Sequence, residues 1–319
     1  MNTAKQQFTV PASPNYWKTI RHLIRREYWE YKALYLWVPA SLSTILFALF
    51  SYFSLYTIGE MEPTAMYLFG RTLTDSNIYP SMFFPLAWTS ALVSIFYLMS
   101  SLHADRLDRS VMFWKSLPFS DGQTVTSKLV LPLLIGPIIA FVFSLLAYLG
   151  FCFLSIVYVG IKGHGFAFEL FVSDAMWRDP AKVMALLPIY VAWALPTVGW
   201  IMMISAWAKS RVFPWAIGLP LLTELILTFA NFHFKLGIDM LWVTINIFAR
   251  LLGGLFPGLW ALADSQDGLV SVKHNMFLLG SVYEQASLQF TSGKLWFGIA
   301  VGLAMIFIAI RQRRYAEAI

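Results

Sequence analysis

The sequence predicts an all-α integral membrane protein with six transmembrane helices. Of its 319 residues, 58% are hydrophobic and only 13% are charged, and the mean hydropathy is +0.64. Soluble domains carry about 25% charged residues, so this composition is typical of membrane proteins. The chain also contains several runs close to the roughly 20 apolar residues that a helix needs to cross a bilayer.

Six apolar runs are interpreted as transmembrane helices of a single membrane domain that covers residues 1–319. They are residues 36–58, 81–102, 129–159, 183–208, 213–232 and 295–310. The first run is too long for the apolar core of a cleavable signal peptide and follows a charged stretch, so we expect it to remain as an anchor. The third run is long enough to tilt or to extend beyond the bilayer.

The positions of lysine and arginine orient these spans. Most of the 23 basic residues fall on the face that carries the N-terminal segment, the second and fourth connectors and the C-terminal tail. Cytoplasmic loops of membrane proteins are enriched in these residues, so both termini are predicted to be cytoplasmic. The net charge of +6 follows from this asymmetry and gives no support for a nucleic-acid partner.

Residues 1–35 are predicted to contain a cytoplasmic amphipathic helix ahead of the first span. Apolar and aromatic residues recur there at helical spacing: Trp17, Ile20, Ile24, Tyr28 and Tyr31. Arg21, Arg25 and Arg26 occupy other positions of the same stretch. Such a helix lies along the membrane surface with its basic residues at anionic lipid headgroups. Contact with a cytoplasmic partner is a second interpretation, and both can hold.

Residues 103–128 connect the second and third spans and form a long, charge-dense cytoplasmic loop. Its candidate docking residues are Asp105, Arg106, Asp108, Arg109, Phe113, Trp114 and Lys115. We expect a short amphipathic helix whose two aromatic side chains anchor in a partner, while the charges set its orientation through ion pairs at the rim or within the loop. The alternative is that the aromatic side chains only seat the loop against lipid headgroups.

Residues 233–294 form the longest predicted outer loop. Within it, residues 240–263 are apolar enough for a seventh span, but Arg250, Gly253, Gly254, Pro257 and Gly258 interrupt them. A seventh crossing would also move the basic C-terminal tail to the outer face. We therefore expect a re-entrant element of two short helices between the fifth and sixth spans.

Glu224 in the fifth span is the clearest intramembrane charge. An ionised carboxylate at the bilayer centre costs roughly 2.5–3.5 kcal/mol or more, so this side chain is expected to face protein or water or to be protonated. It either lines a translocation path or dimer seam, or is a neutral acid bonded to a neighbouring helix. Asn231 and His233 are candidates to share its network.

Several kinds of site are excluded by missing motifs. The sequence contains no GxxxxGK[ST] loop for a nucleotide, and its five histidines show no metal-ligand spacing. The single cysteine, Cys152, rules out an intrachain disulfide and a CxxC redox pair. We therefore expect no cofactor on this chain and no enzymatic activity. The Gly298 and Gly302 pair in the last span is interpreted as close packing within the bundle.

Three segments resemble a bacterial group of ABC-2 type transporter permeases. They are DRLDRSVMFWKSLPFSDGQTVTSK (105–128), PTVGWIMMISAWAKSRVFP (196–214) and KLWFGIAVGLAMIFIAIRQRRY (294–315). The resemblance extends through nearly the whole chain, and the first segment is its most specific part. It implies the ABC-2 type exporter fold in the bacterial cytoplasmic (inner) membrane.

The resemblance also implies partners. A second permease copy, identical or related, would complete the membrane part, and two copies of a separate ATPase subunit would bind ATP and Mg. The N-terminal helix and the 103–128 loop would form the surface on which the ATPase sits. The expected function is export of an amphipathic, lipid-like, peptide or drug-like substrate. The alternative is a membrane anchor of a multiprotein complex that transports nothing.

Overall fold

Helices account for every regular element in the described part of the chain. The computed structural model describes residues 16–59, 78–107, 120–161, 174–259, 283, 286 and 288–315. Six of its helical runs are long and apolar enough to cross a membrane. The prediction of an all-α protein with six helices of membrane-spanning length is therefore confirmed.

Eleven α-helices are described. In chain order they are α1 (Tyr16–Lys32), α2 (Val38–Gly59), α3 (Ile78–Leu107), α4 (Asp121–Val130), α5 (Gly136–Ile161), α6 (Asp174–Ala185), α7 (Leu187–Trp207), α8 (Leu219–Phe234), α9 (Met240–Val243), α10 (Arg250–Gly253) and α11 (Gly293–Tyr315). Four π-helical turns extend or join them: Ala33–Trp37 between α1 and α2, Leu131–Ile135 between α4 and α5, Pro214–Gly218 before α8, and Thr244–Ala249 between α9 and α10. The chain is therefore helical without a break from α1 into α2 and from α4 into α5.

α3 forms much of the core and packs against α5 and α7. Met82, Leu86 and Leu98 along it are fully buried. One pair of polar side chains inside the bundle is formed by Tyr35 and Ser94: the Tyr35 hydroxyl donates a hydrogen bond to Ser94 Oγ at 3.1 Å. This bond joins the π turn after α1 to the middle of α3, as expected for polar groups that have no water to bind.

α7 and α11 form the most extensive helix pair of the bundle. A Cβ on Gly302 would lie 2.6 Å from the carbonyl carbon of Leu195, and a Cβ on Gly199 would lie 2.5 Å from the oxygen of Gly302. Only glycine permits such an approach of two helix backbones. Gly302 therefore packs within the bundle, as its spacing from Gly298 predicted.

α8 is the most exposed of the six long helices. Its large exposed apolar side chains are Leu219, Leu221, Leu222, Leu225, Ile226, Phe229, Phe232 and Phe234. A helix that is apolar on nearly all sides suits lipid or another membrane helix rather than water.

The 240–259 segment, which contains α9 and α10, folds against the long helices. The Trp88 indole donates a hydrogen bond to the Pro257 oxygen at 3.2 Å, and the Gly254 amide donates one to Thr197 Oγ1 at 2.9 Å. Leu255 is fully buried. The segment therefore packs on α3 and α7.

Candidate functional site: a buried charge network

Four helix segments meet in a network of buried charged side chains. Lys128 Nζ on α4 lies 3.0 Å from Glu27 Oε1 on α1 and 3.7 Å from Asp105 Oδ1 on α3. Arg313 on α11 approaches Asp105 Oδ2 at 2.9 Å and Asp121 Oδ1 at 3.3 Å. The chain of ion pairs thus connects α1, α3, α4 and α11 at the face that the sequence predicts to be cytoplasmic.

A tyrosine completes the hydrogen bonding of Glu27. The Tyr97 hydroxyl on α3 donates to Glu27 Oε2 at 3.0 Å, while the other carboxylate oxygen receives Lys128. Glu27 is 1% exposed and Lys128 3% exposed, so this pair is shielded from water. Breaking a buried pair by removing one partner typically costs about 3–5 kcal/mol, because a charge is left uncompensated.

Local sequence signals position these side chains. Ser120 begins α4 as a capping box: its Oγ accepts from the Gln123 amide at 3.2 Å, and its own amide donates to Gln123 Oε1 at 2.9 Å. Asp121 follows in the first turn of α4, where the helix dipole favours a carboxylate. On α1, Glu27 shares the buried face with Ile20 and Leu23, at helical spacing.

Asp105 and Arg106 do not lie in the loop to which the sequence analysis assigned them. α3 continues through both residues to Leu107, and their exposed fractions are only 8% and 7%. The Arg106 guanidinium donates to the Ser205 oxygen at 2.9 Å and also to the Ala208 oxygen. It thereby satisfies carbonyls at the C-terminal end of α7 that lack a partner within that helix.

The ion pair of Asp105 with Lys128 lies within residues 103–128, as expected, whereas Arg106 binds the backbone oxygens of Ser205 and Ala208. That either residue orients a partner stays a prediction. Both side chains are used inside the chain, Asp105 by Lys128 and Arg313. The other candidate docking residues, Asp108, Arg109, Phe113, Trp114 and Lys115, lie outside the described residues.

The N-terminal helix, Tyr16–Lys32, lies within the predicted segment 1–35, but its buried face differs from the predicted one. Ile20, Leu23 and Glu27 are buried, whereas Trp17 is 75% exposed. Arg21 and Arg25 are exposed, and Arg26 forms an ion pair with Glu30 at 3.4 Å. The buried face includes a carboxylate because Lys128 supplies its countercharge, which no apolar pattern can indicate.

Glu224 is bonded to the 240–259 segment. Thr244 Oγ1 donates to Glu224 Oε1 at 2.7 Å, so this carboxyl group of α8 has a polar partner in the 240–259 segment. Asn231 does not share this bond: its side chain instead pairs with the backbone of Ile238, at 2.9 and 3.0 Å. His233 stacks on Phe229. The expected shared network of Glu224, Asn231 and His233 is therefore wrong.

Arg250, which the sequence analysis treats only as an interruption of the apolar run, is a second buried charge. Backbone oxygens and an aromatic ring surround it. Its guanidinium donates to the oxygens of Lys294 at 2.6 Å and Leu295 at 3.2 Å, and lies 4.2 Å from the centre of the Trp193 ring. Gly298 leaves the space for it. The signal for this site was the arginine itself, in a run that is otherwise apolar.

No family model, curated protein or solved structure matches the chain. Within the described ranges, no three His, Cys, Asp or Glu side chains are grouped to hold a metal ion.

Proposed function

We propose that this protein is the membrane subunit of an ATP-driven exporter of the ABC-2 type, in the bacterial cytoplasmic membrane and with both termini in the cytoplasm. A separate ATPase subunit would bind and hydrolyse ATP, and the substrate would be amphipathic, lipid-like, peptide or drug-like. The observation that carries the proposal is the network of Glu27, Asp105, Asp121, Lys128 and Arg313.

The position of the network supports a role in force transmission. Asp105 lies near the end of α3, at Leu107, and Asp121 begins α4, so along the chain the two residues flank positions 108–115, which hold the other predicted docking residues. A partner that moves this loop acts on both helix ends. Because α4 continues through a π turn into α5, motion of Lys128 also acts on the third span.

The ion pairs make this response discrete rather than gradual. Glu27 and Arg313 hold the moving helix ends to α1 and α11 through short contacts in a shielded site. Displacing one helix end requires that a buried pair be broken or exchanged, and such bistable contacts suit a transition between two states. In our proposal ATP binding on the partner supplies that free energy.

We infer that the 240–259 segment is the re-entrant element and closes the outer side of the path. Thr197 and Trp88, which bind it, each lie ten residues from the start of α7 and α3. At 1.5 Å per residue both contacts lie about 15 Å along these helices from their first residues, which would place the segment inside the roughly 30 Å hydrocarbon core. The hydrogen bond from Thr244 to Glu224 would connect this re-entrant element to α8.

The exposure of α8 supports the proposed assembly of two membrane halves. Its apolar side chains are covered by little of the described chain, and a second copy of the protein would bury them against its own α8. Glu224 then lies at or beside the seam between the halves.

The proposal is tested by co-expressing the tagged protein with an ATPase encoded in the adjacent reading frame. Co-purification of that ATPase, with hydrolysis that rises when both are reconstituted together, is the expected result. In a parallel sample the Glu27→Gln and Lys128→Met double variant, which removes the ion pair without leaving Glu27 charged and unpaired, should retain the ATPase but lose this stimulation. If the ATPase binds and its hydrolysis is unaffected by either form of the membrane protein, the chain is an anchor and the export proposal fails.

A further inference from the structure

A basic groove runs between α1 and the part of the third long helical run where the π turn Leu131–Ile135 continues into α5. Its volume is about 1060 Å³. Lys18, Arg21 and Arg25 line it from α1, and Ile135 and Ile139 form part of the opposite wall. The groove thus combines cationic side chains with an apolar surface, which is the chemistry that recognises an amphipathic anion.

The positive charge of this groove is not neutralised by the described residues. Lys18, Arg21 and Arg25 are exposed, and none of them forms an ion pair within the described ranges. The two nearby carboxylates on α1 are already engaged, Glu27 by Lys128 and Glu30 by Arg26. None of the described residues that line the groove carries a carboxylate.

The apolar wall lies where acyl chains lie. Ile135 and Ile139 follow Lys128 by seven and eleven residues along nearly continuous helix. At 1.5 Å per residue they lie about 10 and 16 Å deeper than Lys128, which reaches about the midplane of a hydrocarbon core of roughly 30 Å. Phosphate at the arginines and an acyl chain along the isoleucines therefore match the two parts of one lipid.

We propose that this groove binds one anionic phospholipid of the cytoplasmic leaflet. Arg21 and Arg25 hold the phosphate by charge-assisted hydrogen bonds, and the acyl chain packs on Ile135 and Ile139. The bound lipid fixes α1 to the third span beside Glu27. The site depends on the orientation of the spans but not on export.

The headgroup part is tested by native mass spectrometry of the full-length protein in detergent, titrated with dioleoyl phosphatidylglycerol or dioleoyl phosphatidylcholine. We expect preferential retention of phosphatidylglycerol, and about 30-fold weaker retention by the Arg21→Ala and Arg25→Ala double variant. Lys209→Ala with Arg211→Ala is the matched control, since these exposed residues are also predicted to be cytoplasmic but lie outside the groove. Equal loss in both double variants, or in neither, overturns the proposal.

The acyl-chain part uses neighbouring positions on one helix. Ile135→Trp fills the groove and should reduce phosphatidylglycerol retention. Leu134→Trp is the control and should not reduce it, because the Leu134 side chain is exposed and lies outside the groove. Glycerol 3-phosphate, which lacks the chains, should not displace the lipid. Displacement by it would show a site for soluble phosphate esters. Unchanged lipid retention together with loss of the ATPase from the arginine variants would make this face a protein contact. Either outcome overturns the proposal.

Discussion

Lys128 Nζ lies 3.0 Å from Glu27 Oε1, and this buried contact joins the N-terminal helix to the start of the third long helical run. The same ammonium also approaches Asp105 Oδ1 at 3.7 Å. One cation therefore holds two carboxylates from different helices. The Tyr97 hydroxyl and Arg313 bind the remaining oxygens of those carboxylates, so each is compensated more than once.

Removal of Lys128 should destabilise the protein strongly. Lys128→Met leaves Glu27 buried without its countercharge, a change that costs about 3–5 kcal/mol in comparable sites. Glu27→Gln combined with Lys128→Met should recover part of this loss, because the amide still accepts the Tyr97 hydrogen bond and carries no charge. The measurement is thermal unfolding of the purified protein in detergent.

Glu30→Gln is the control for that experiment. Glu30 pairs with Arg26 on the same helix at 3.4 Å, but the two side chains are 49% and 35% exposed. Exposed pairs of this spacing contribute about 0.3–0.5 kcal/mol. A double variant no more stable than Lys128→Met, or a Glu30→Gln variant that loses as much as Lys128→Met, would show that the buried pair is not the source of the stability.

The sequence predicted most of the fold and little of this network, for a physical reason. The apolar length of a span is a local property, so the six helices could be located from residue type alone. Pairing across the bundle is not local: Asp105 reads as a loop charge until Arg313 and Lys128 are placed beside it. The start of α4 could have been predicted from the sequence, since Ser120 and Gln123 have the residue types and spacing of a capping box.

Substitution of Gly298 should displace Arg250 from its binding position. A Cβ at Gly298 would contact the Arg250 guanidinium, which binds the Lys294 and Leu295 oxygens. We expect Gly298→Ala to lower the unfolding temperature by several degrees, in line with about 1–3 kcal/mol for overpacking. Gly293→Ala on the same helix is the control, since nothing lies within 4 Å of its added methyl group.

The Arg250→Met variant shows whether the contact with Arg250 causes the destabilisation by Gly298→Ala. In Arg250→Met the guanidinium is absent, so Gly298→Ala should cost much less than it does in the wild type. An equal cost in both backgrounds would show that the alanine clashes with something other than Arg250.

The Glu224 bond predicts different outcomes for two substitutions. Glu224→Gln retains an acceptor for Thr244 Oγ1 and should leave folding and assembly intact. Glu224→Lys removes the acceptor and brings a charge to the same depth, so it should reduce the yield of folded protein in the membrane. Size-exclusion chromatography of the solubilised protein measures both. Equal tolerance of both substitutions would show that the side chain reaches water and has no buried partner.

The predicted orientation is tested by labelling from the two faces. Lys115→Cys and Asp267→Cys, each in a Cys152→Ser background, should react with a membrane-impermeant maleimide from opposite sides, because the first lies in the predicted cytoplasmic loop and the second in the predicted outer loop. Intact cells should label only Asp267→Cys, and lysed cells should label both. Labelling of both from one side would exclude the arrangement of six spans with both termini inside.

Phe113 and Trp114 lie in the chain between the last residue of α3, Leu107, and the first residue of α4, Asp121. Asp105 and Arg106 are used inside the bundle, so the aromatic side chains are the strongest remaining candidates for ATPase anchors. Buried aromatic anchors at interface centres cost about 2 kcal/mol or more when truncated. Phe113→Ala with Trp114→Ala should therefore release the ATPase in co-purification.

Charge reversal supplies the contrast within the same loop. Asp108→Lys or Arg109→Glu alone should only weaken ATPase binding, because exposed ion pairs contribute about 0–1 kcal/mol. The unfolding temperature of each variant must match the wild type, so that loss of the partner is not a loss of fold. A folded double alanine variant that still retains the ATPase at wild-type stoichiometry would place these aromatic side chains against lipid headgroups rather than in the interface.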